Sequence, residues 1–322
     1  MVVEDLQVGR WMSMRALLAR TGADWELRTA RTQVLGAVAA GSEVVQAWRA
    51  EEPANPDALV MHARVLVERA MRAHRREHHG NLLERQSREA CLLAAHQLPE
   101  DPVPWVCLLT LAQLDEHQLL VEHQQWAPEP MLPPGPWGIL FHLRKRDWRN
   151  REGFHRVLQF LQARAGGSPA EAIDFGRWVA SWAPRGSPLL LLPLYAYAEN
   201  YRLQRTRMAV DPLSRHQWSK ESVLGETLRA LVGWFDHAPA QRRSLADLSH
   251  LAHALWAGHH YREAAAIFDA LGPYATRLPW AYVSPDPGRP ELAEREFLRA
   301  RGQCLAYVAS HGTRPSPRAA PD

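Results

Sequence analysis

The sequence predicts an all-α fold of stacked helical hairpins. Apolar residues recur every three to four positions through most of the chain, and Ser, Asp or Pro starts alternate with Gly or Pro stops. No alternating apolar–polar run bounded by hairpin turns occurs, which leaves an α/β sheet with a nucleotide-binding crevice without support. The 322 residues suit two domains or one extended helical array, and 46% apolar residues with 13 tryptophans supply enough surface for a core.

Taken in order, Trp11, Met14, Leu17 and Leu18 follow one helical face, and Leu27, Val34, Leu35 and Val38 continue it after a turn at 21–24, making a first hairpin. Val44, Val45 and Trp48 mark a short helix halted at Pro53. Pro56-Asp57 then opens a long helix with Leu59, Ala63, Leu66 and Ala70. A helix over 82–98 presents Ala90, Leu93, Ala94 and Leu98, and Asp101-Pro102 initiates the next, with Trp105, Leu108 and Leu109. The segment WAPEPMLPPGPW holds five prolines, too many for a helix. The chain is therefore divided into N-terminal hairpins at 1–126, a proline-rich linker or loop at 127–137, C-terminal helical repeats at 138–311 and a disordered tail at 312–322.

Beyond the proline-rich segment, helical spacing resumes through Phe154, Val157, Leu158 and Leu161 and stops at Gly166-Gly167. Ser168-Pro169-Ala170-Glu171 is a capping box with proline at the first helical position. Its helix carries Ile173, Phe175, Val179 and Trp182, and Ser187-Pro188 repeats the start signal. Further helices begin near Leu189, Asp211, Lys220 and Ser244, and a last one covers 291–310.

The block GHHYREAAAIFDAL at 258–271 resembles the second helix of a tetratricopeptide repeat, through Gly258, Tyr261, Ala264, Phe268 and Leu271. It departs from that pattern by one extra residue between Gly258 and Tyr261, by an alanine at 270 rather than 271, and by the lack of a steady 34-residue period. The stretch GGSPAEAIDFGRWVASWAPRGSPL is similar to uncharacterised bacterial helical-repeat proteins with an aromatic-Gly-Gly-Ser turn followed by Phe-Ala-Arg-Trp. Here Ala165 stands in place of the aromatic and Gly176 in place of the alanine. The resemblance implies a tetratricopeptide-like right-handed α-solenoid that binds a protein or peptide.

Charge gives no whole-molecule attraction to nucleic acid or anionic membrane, because 38 basic residues meet 35 acidic ones and leave +3. Cys91, Cys107 and Cys304 are far apart with no CxxC, which suits reduced thiols in a cytoplasm better than a disulfide framework or cysteine zinc site. The apolar run at 189–198 is broken by Pro193 and too short to span a bilayer. The opening residues, with Glu4, Asp5 and Arg10, lack the apolar core of a secretory leader, so a cytoplasmic location is expected.

Gly-x-Ser-x-Gly, His-Glu-x-x-His and dinucleotide fingerprints are all missing, which removes the commonest local signs of hydrolysis and redox chemistry. Gly166-Gly167-Ser168 at a helix start has the form of a phosphate cradle, yet a glycine C-cap followed by a serine N-cap accounts for all three residues. The basic run at 142–151, interleaved with Trp148, suits a solvated helix start or an acidic protein partner better than a base-stacking surface.

The leading expectation is a concave groove for a protein or peptide partner, with no cofactor. Tyr197, Tyr201 and Arg205 share one helix face, and with Trp178 and Trp182 they are the candidate lining, since tyrosine, tryptophan and arginine carry interface energy. The alternative is a metal- or haem-dependent enzyme on the same helices. Its candidate ligands are His74 and His78, four apart, and the stripe Asp247, His250 and His253 at three-residue steps. Glu152 and His155 supply one Glu-x-x-His, where a di-iron bundle needs two.

Overall fold

The structure is a computed structural model that describes residues 2–76, 81–207 and 217–312. Among these residues it is all-helical with no strands. None of the described helices is long and apolar enough to cross a membrane. Two compact units divide the chain, Met1–Ala172 and Ile173–Asp322. The helix expected near Asp211, and the tail expected beyond Gly312, lie outside the described residues.

The first unit holds α1 (Val2–Gln7), α2 (Met12–Thr21), α3 (Trp25–Ala39), α4 (Val44–Glu51), α5 (Pro56–Arg75), α6 (Asn81–Gln97), α7 (Val103–Ala112), α8 (Trp137–Arg144) and α9 (Arg151–Ala163). The boundary falls inside α10 (Pro169–Trp182). Asp24 and Asn55 start α3 and α5 by accepting backbone N–H bonds, from Leu27 in the first case and from Asp57 and Ala58 in the second. Every residue of α7 except Trp105 is buried, so this helix is apolar all round and sits at the centre, packed by α5, α6, α8 and α9.

The α3 face differs from its sequence expectation. Leu27 and Val34 are exposed, and the buried face is Arg28, Thr29, Thr32, Leu35, Gly36 and Ala39. Arg28 goes inward because two carboxylates meet it: Nε donates to Asp101 Oδ2 and Nη2 to Asp57 Oδ1, both at 2.7 Å. Asn150 Nδ2 reaches Thr29 Oγ1 at 3.1 Å in the same layer. Apolar periodicity alone misplaces a helix face whose polar members are paired across the core.

The proline-rich segment 127–137 lies within the first unit as a closed loop. Gln125 and Gly135 exchange backbone bonds at 3.2 and 2.9 Å, and Trp137 Nε1 donates to Pro133 O at 2.9 Å. At the start of α10 the capping box forms as read: Ala170 N donates to Ser168 Oγ at 3.2 Å and Ser168 N to Glu171 Oε2 at 2.9 Å. The Glu171 carboxylate thus already covers the helix start that a phosphate would use.

The second unit holds α11 (Leu192–Arg207), α12 (Glu221–Ala230), α13 (Leu245–Ala257), α14 (Tyr261–Leu271), α15 (Trp280–Val283) and α16 (Pro290–His311). A 3-10 turn over Pro188–Leu191 precedes α11, which puts Pro193 in the first helical turn, where its missing N–H costs nothing. Ser244 caps α13 by accepting from Asp247 N at 3.1 Å. The three-residue link from α13 to α14 makes a hairpin, and α16 packs on α14 and α15. Trp234, Phe268, Trp280 and Phe297 are fully buried in the core beneath.

Candidate functional site

A cavity of about 370 Å³ opens in the second unit. Its walls come from five helices and two connections. Trp256 ends α13, Tyr261 begins α14, Arg299 and Gln303 stand one turn apart on α16, and Trp218 and Tyr201 close the floor. Trp218 and Tyr201 are buried, at 2% and 4% exposure, while Gln303 and Arg299 are exposed at the rim. Large rings below and donors above form the arrangement common to small-ligand sites, an apolar bed with a few polar groups that fix orientation.

The turn between α13 and α14 is shaped by a close backbone approach at Gly258. A β-carbon on Gly258 would meet Trp218 O and Ala254 O, each at 3.2 Å, so glycine permits the close approach of the Trp218 backbone. The left-handed turn position therefore falls on the next residue, His259, at φ 65. His259 N donates to Trp256 O at 3.0 Å and His260 N to Leu255 O at 2.8 Å, which satisfies the last carbonyls of α13. The His259 ring lies beside Tyr261, with Nδ1 and the phenol oxygen 2.8 Å apart at the cavity edge.

The rim is rich in donors. Trp256 Nε1 donates to Gln303 Oε1 at 3.0 Å, which orients the Gln303 amide and leaves its Nε2 hydrogens for another acceptor. The Arg299 guanidinium lies over the Trp256 ring at 5.3 Å and donates through Nε and Nη2 to Glu296 Oε2 at 2.9 and 2.6 Å. Behind the wall sits His253, fully buried, its ring edge-on to Trp218 at 5.1 Å and to Trp280 at 5.2 Å. Neither imidazole nitrogen has a hydrogen-bond partner, and the Trp218 Nε1 beside it has none either. Burial, assisted by His250, pushes the His253 pKa down to about 3, so the ring is neutral at ordinary pH.

Of the five residues expected to line a groove, Tyr201 reaches this cavity. Tyr197 is buried at 4%, edge-on to Trp218 at 6.2 Å, and its hydroxyl accepts from Arg177 Nε at 3.0 Å. Burial raises the Tyr197 pKa, against the pull of Arg177. Arg205 turns to the end of α15, where Nη1 donates to Ser284 O at 3.0 Å and also to Tyr282 O, while its guanidinium stays 6.0 Å from the Tyr201 ring. Trp178 and Trp182 contact each other edge-on at 5.8 Å, away from the cavity lining.

The expected metal ligands do not gather. Asp247 Oδ1 accepts from Tyr195 OH at 2.7 Å, His250 Nδ1 faces Ala246 O at 2.8 Å with its ring stacked 3.6 Å from Tyr195, and His253 is boxed in by indoles. His74 Nε2 is 3.5 Å from Glu116 Oε1, and His78 lies outside the described residues. Glu152 is engaged by Arg64 and Arg156. Among the described residues no three His, Cys, Asp or Glu side chains form a group that could hold a metal ion.

In the first unit the basic run covers its own rings: Arg146 lies 4.9 Å over Trp105, Arg149 4.8 Å over Trp148 and Lys145 4.3 Å over Phe141. Trp148, the ring that would stack on a base, is met by its neighbour Arg149.

Comparison with protein-family models, curated proteins and solved structures finds no match to this chain.

Sequence reasoning missed Trp218, Trp256, Arg299 and Gln303. They come from three separate segments, the 217–219 turn, α13 and α16, and only Arg299 and Gln303 share a helical spacing. The one local signal was the extra residue in the 258–261 turn, which marks the strained rim position.

Proposed function

We propose that the protein is a binding module: a scaffold of stacked hairpins, of the right-handed tetratricopeptide-like kind, whose second unit seats a peptide segment of a protein partner. The observation that carries this reading is the cavity with Tyr201, Trp218, Trp256 and Tyr261 as ring walls and Arg299 and Gln303 as donors at its rim. Tyrosine, tryptophan and arginine are the side chains most enriched among costly interface positions, and rigid rings contact a ligand with little loss of rotamer freedom. The α13–α14 hairpin supports the repeat-like architecture, and Ala264 and Phe268 are buried in the core, as the resemblance implies. Three free, buried cysteines fit a reducing compartment such as the cytoplasm.

The test is selection of random peptides on the full-length chain. Enriched peptides are expected to compete for one site and to lose at least tenfold in affinity on Trp256→Leu and on Arg299→Gln, with helicity unchanged. Absence of any enriched peptide, or enrichment indifferent to both substitutions, contradicts the proposal.

A further inference from the structure

We infer that this cavity is a subsite for an aromatic carboxylate and receives the C-terminal aromatic residue of the partner peptide. The inference rests on the peptide-binding function proposed above and names the part of the ligand that the cavity takes. Three features narrow it. The first is size: about 370 Å³ is near the lower end of small-molecule sites, which run from about 300 to 1,000 Å³, enough for one large side chain with its adjoining backbone and too little for a long segment.

The second is the wall. Trp256 and Tyr261 are half-buried in the lining, with the buried Tyr201 and Trp218 beside them, and an entering ring is expected to meet them in the offset or edge-on contacts that aromatic groups prefer. An aliphatic side chain fills the same space without those contacts.

The third is charge. Among the described residues lining the cavity, Arg299 is the one charged side chain of fixed sign and none is a carboxylate. A cationic ligand, which an aromatic box otherwise favours, meets Arg299 and is repelled. Glu296 takes Nε and Nη2 of that guanidinium, so Nη1 is left to face an incoming anion, beside the Nε2 hydrogens of Gln303. Glu296 offsets the formal charge of Arg299, so this rim suits a single negative charge with two oxygens rather than a doubly charged phosphate. A peptide carries such a group next to a side chain at its C-terminus.

The probes are the blocked dipeptide N-acetyl-Gly-Phe with a free carboxylate, its C-terminal amide, and N-acetyl-Gly-Leu. Each is titrated into the full-length protein and followed by tryptophan fluorescence, since none contains tryptophan. The expected result is saturable quenching by N-acetyl-Gly-Phe, with at least tenfold weaker binding of the amide and of the Leu dipeptide. Arg299→Gln is expected to remove the preference for carboxylate over amide while leaving a weak preference for Phe over Leu. Because Arg299 is exposed, that variant keeps its fold, and circular dichroism checks it. Equal binding of acid and amide overturns the inference, as does a carboxylate preference that survives Arg299→Gln.

Selection with two peptide libraries, one with free C-termini and one with internal display, separates the two levels. Enrichment from the internal library alone overturns the C-terminal subsite and leaves peptide binding standing. Enrichment from neither overturns both.

Discussion

Arg64 and Glu152, 88 positions apart in sequence, form a buried ion pair in the first unit: Nη1 donates to Oε1 at 2.9 Å and Nη2 to Oε2 at 2.5 Å, with 1% and 4% of the two side chains exposed. Burial works against both charges, and the pairing outweighs it, raising the Arg64 pKa and lowering that of Glu152, which Arg156 lowers further. The bridge ties α5 to α9 beside the central helix α7. Breaking such a pair strands a buried charge and costs about 3–5 kcal/mol, whereas replacing both partners by apolar groups is often neutral. Glu152→Gln is accordingly expected to destabilise by about 3 kcal/mol or more. The double variant Arg64→Met, Glu152→Leu is expected to lose less than the single one. Urea denaturation of the two variants checks this, and a double variant weaker than the single would contradict it.

Gly36 makes that bridge possible. A β-carbon there would stand 2.5 Å from Arg64 Cγ, in a side chain that its partners hold in place. Gly36→Ala favours an isolated helix by roughly 0.5–1 kcal/mol, yet here overpacking of about 1–3 kcal/mol wins and the protein loses stability. A rise in melting temperature for this variant would show that Arg64 can shift at no cost.

Acid sensitivity follows from His253. Its folded pKa is near 3 and its unfolded value near 6.5, so below pH 6.5 the unfolded chain binds a proton that the folded chain refuses. Stability falls with acid by about 1.4 kcal/mol per pH unit from this group, and the fall ends near pH 3. His62, lowered to about 4 chiefly by burial, adds to the loss in the same direction. Glu152 adds a further loss below its unfolded value, because its folded pKa is depressed. His253→Phe keeps a ring against Trp218 and Trp280, removes two unpartnered nitrogens, and is expected to flatten the acid limb with no loss at pH 7. Melting temperatures from pH 4 to 7 test this, and an unchanged slope would count against a neutral buried His253.

His259 holds a left-handed backbone at the cavity rim. Relieving that conformation with His259→Gly is expected to stabilise the protein by up to about 1 kcal/mol. The same change removes the contact to Tyr261 Oη and should weaken peptide binding. Opposite signs for stability and binding would mark a residue kept for function; a loss of both would make it structural.

Local signals were legible in the sequence where a few neighbouring residues decide the outcome. Ser168 with Glu171, Ser244 before α13, and Tyr261 at the head of α14 all act over one helical turn. The inward face of α3 was misread because Arg28 looks solvated until Asp57 and Asp101 arrive from two other segments. The candidate site was legible only at Tyr201 and in the odd spacing before Tyr261, since its other members converge through tertiary packing. Tyr197 and Arg205 follow the same helix face as Tyr201, but Arg177 and the carbonyls at the end of α15 claim them.

The central claim is that the ring-lined cavity of the second unit is where a peptide binds. The most direct measurement is the chemical shift of the Trp256 indole N–H, assigned with Trp256→Phe, as a selected peptide is titrated into the full-length protein. The account predicts a saturating shift of that signal, because the ligand displaces or joins the Gln303 acceptor. Saturation of binding with the Trp256 signal unmoved, and with shifts confined to Trp105 or Trp148 in the first unit, would contradict it.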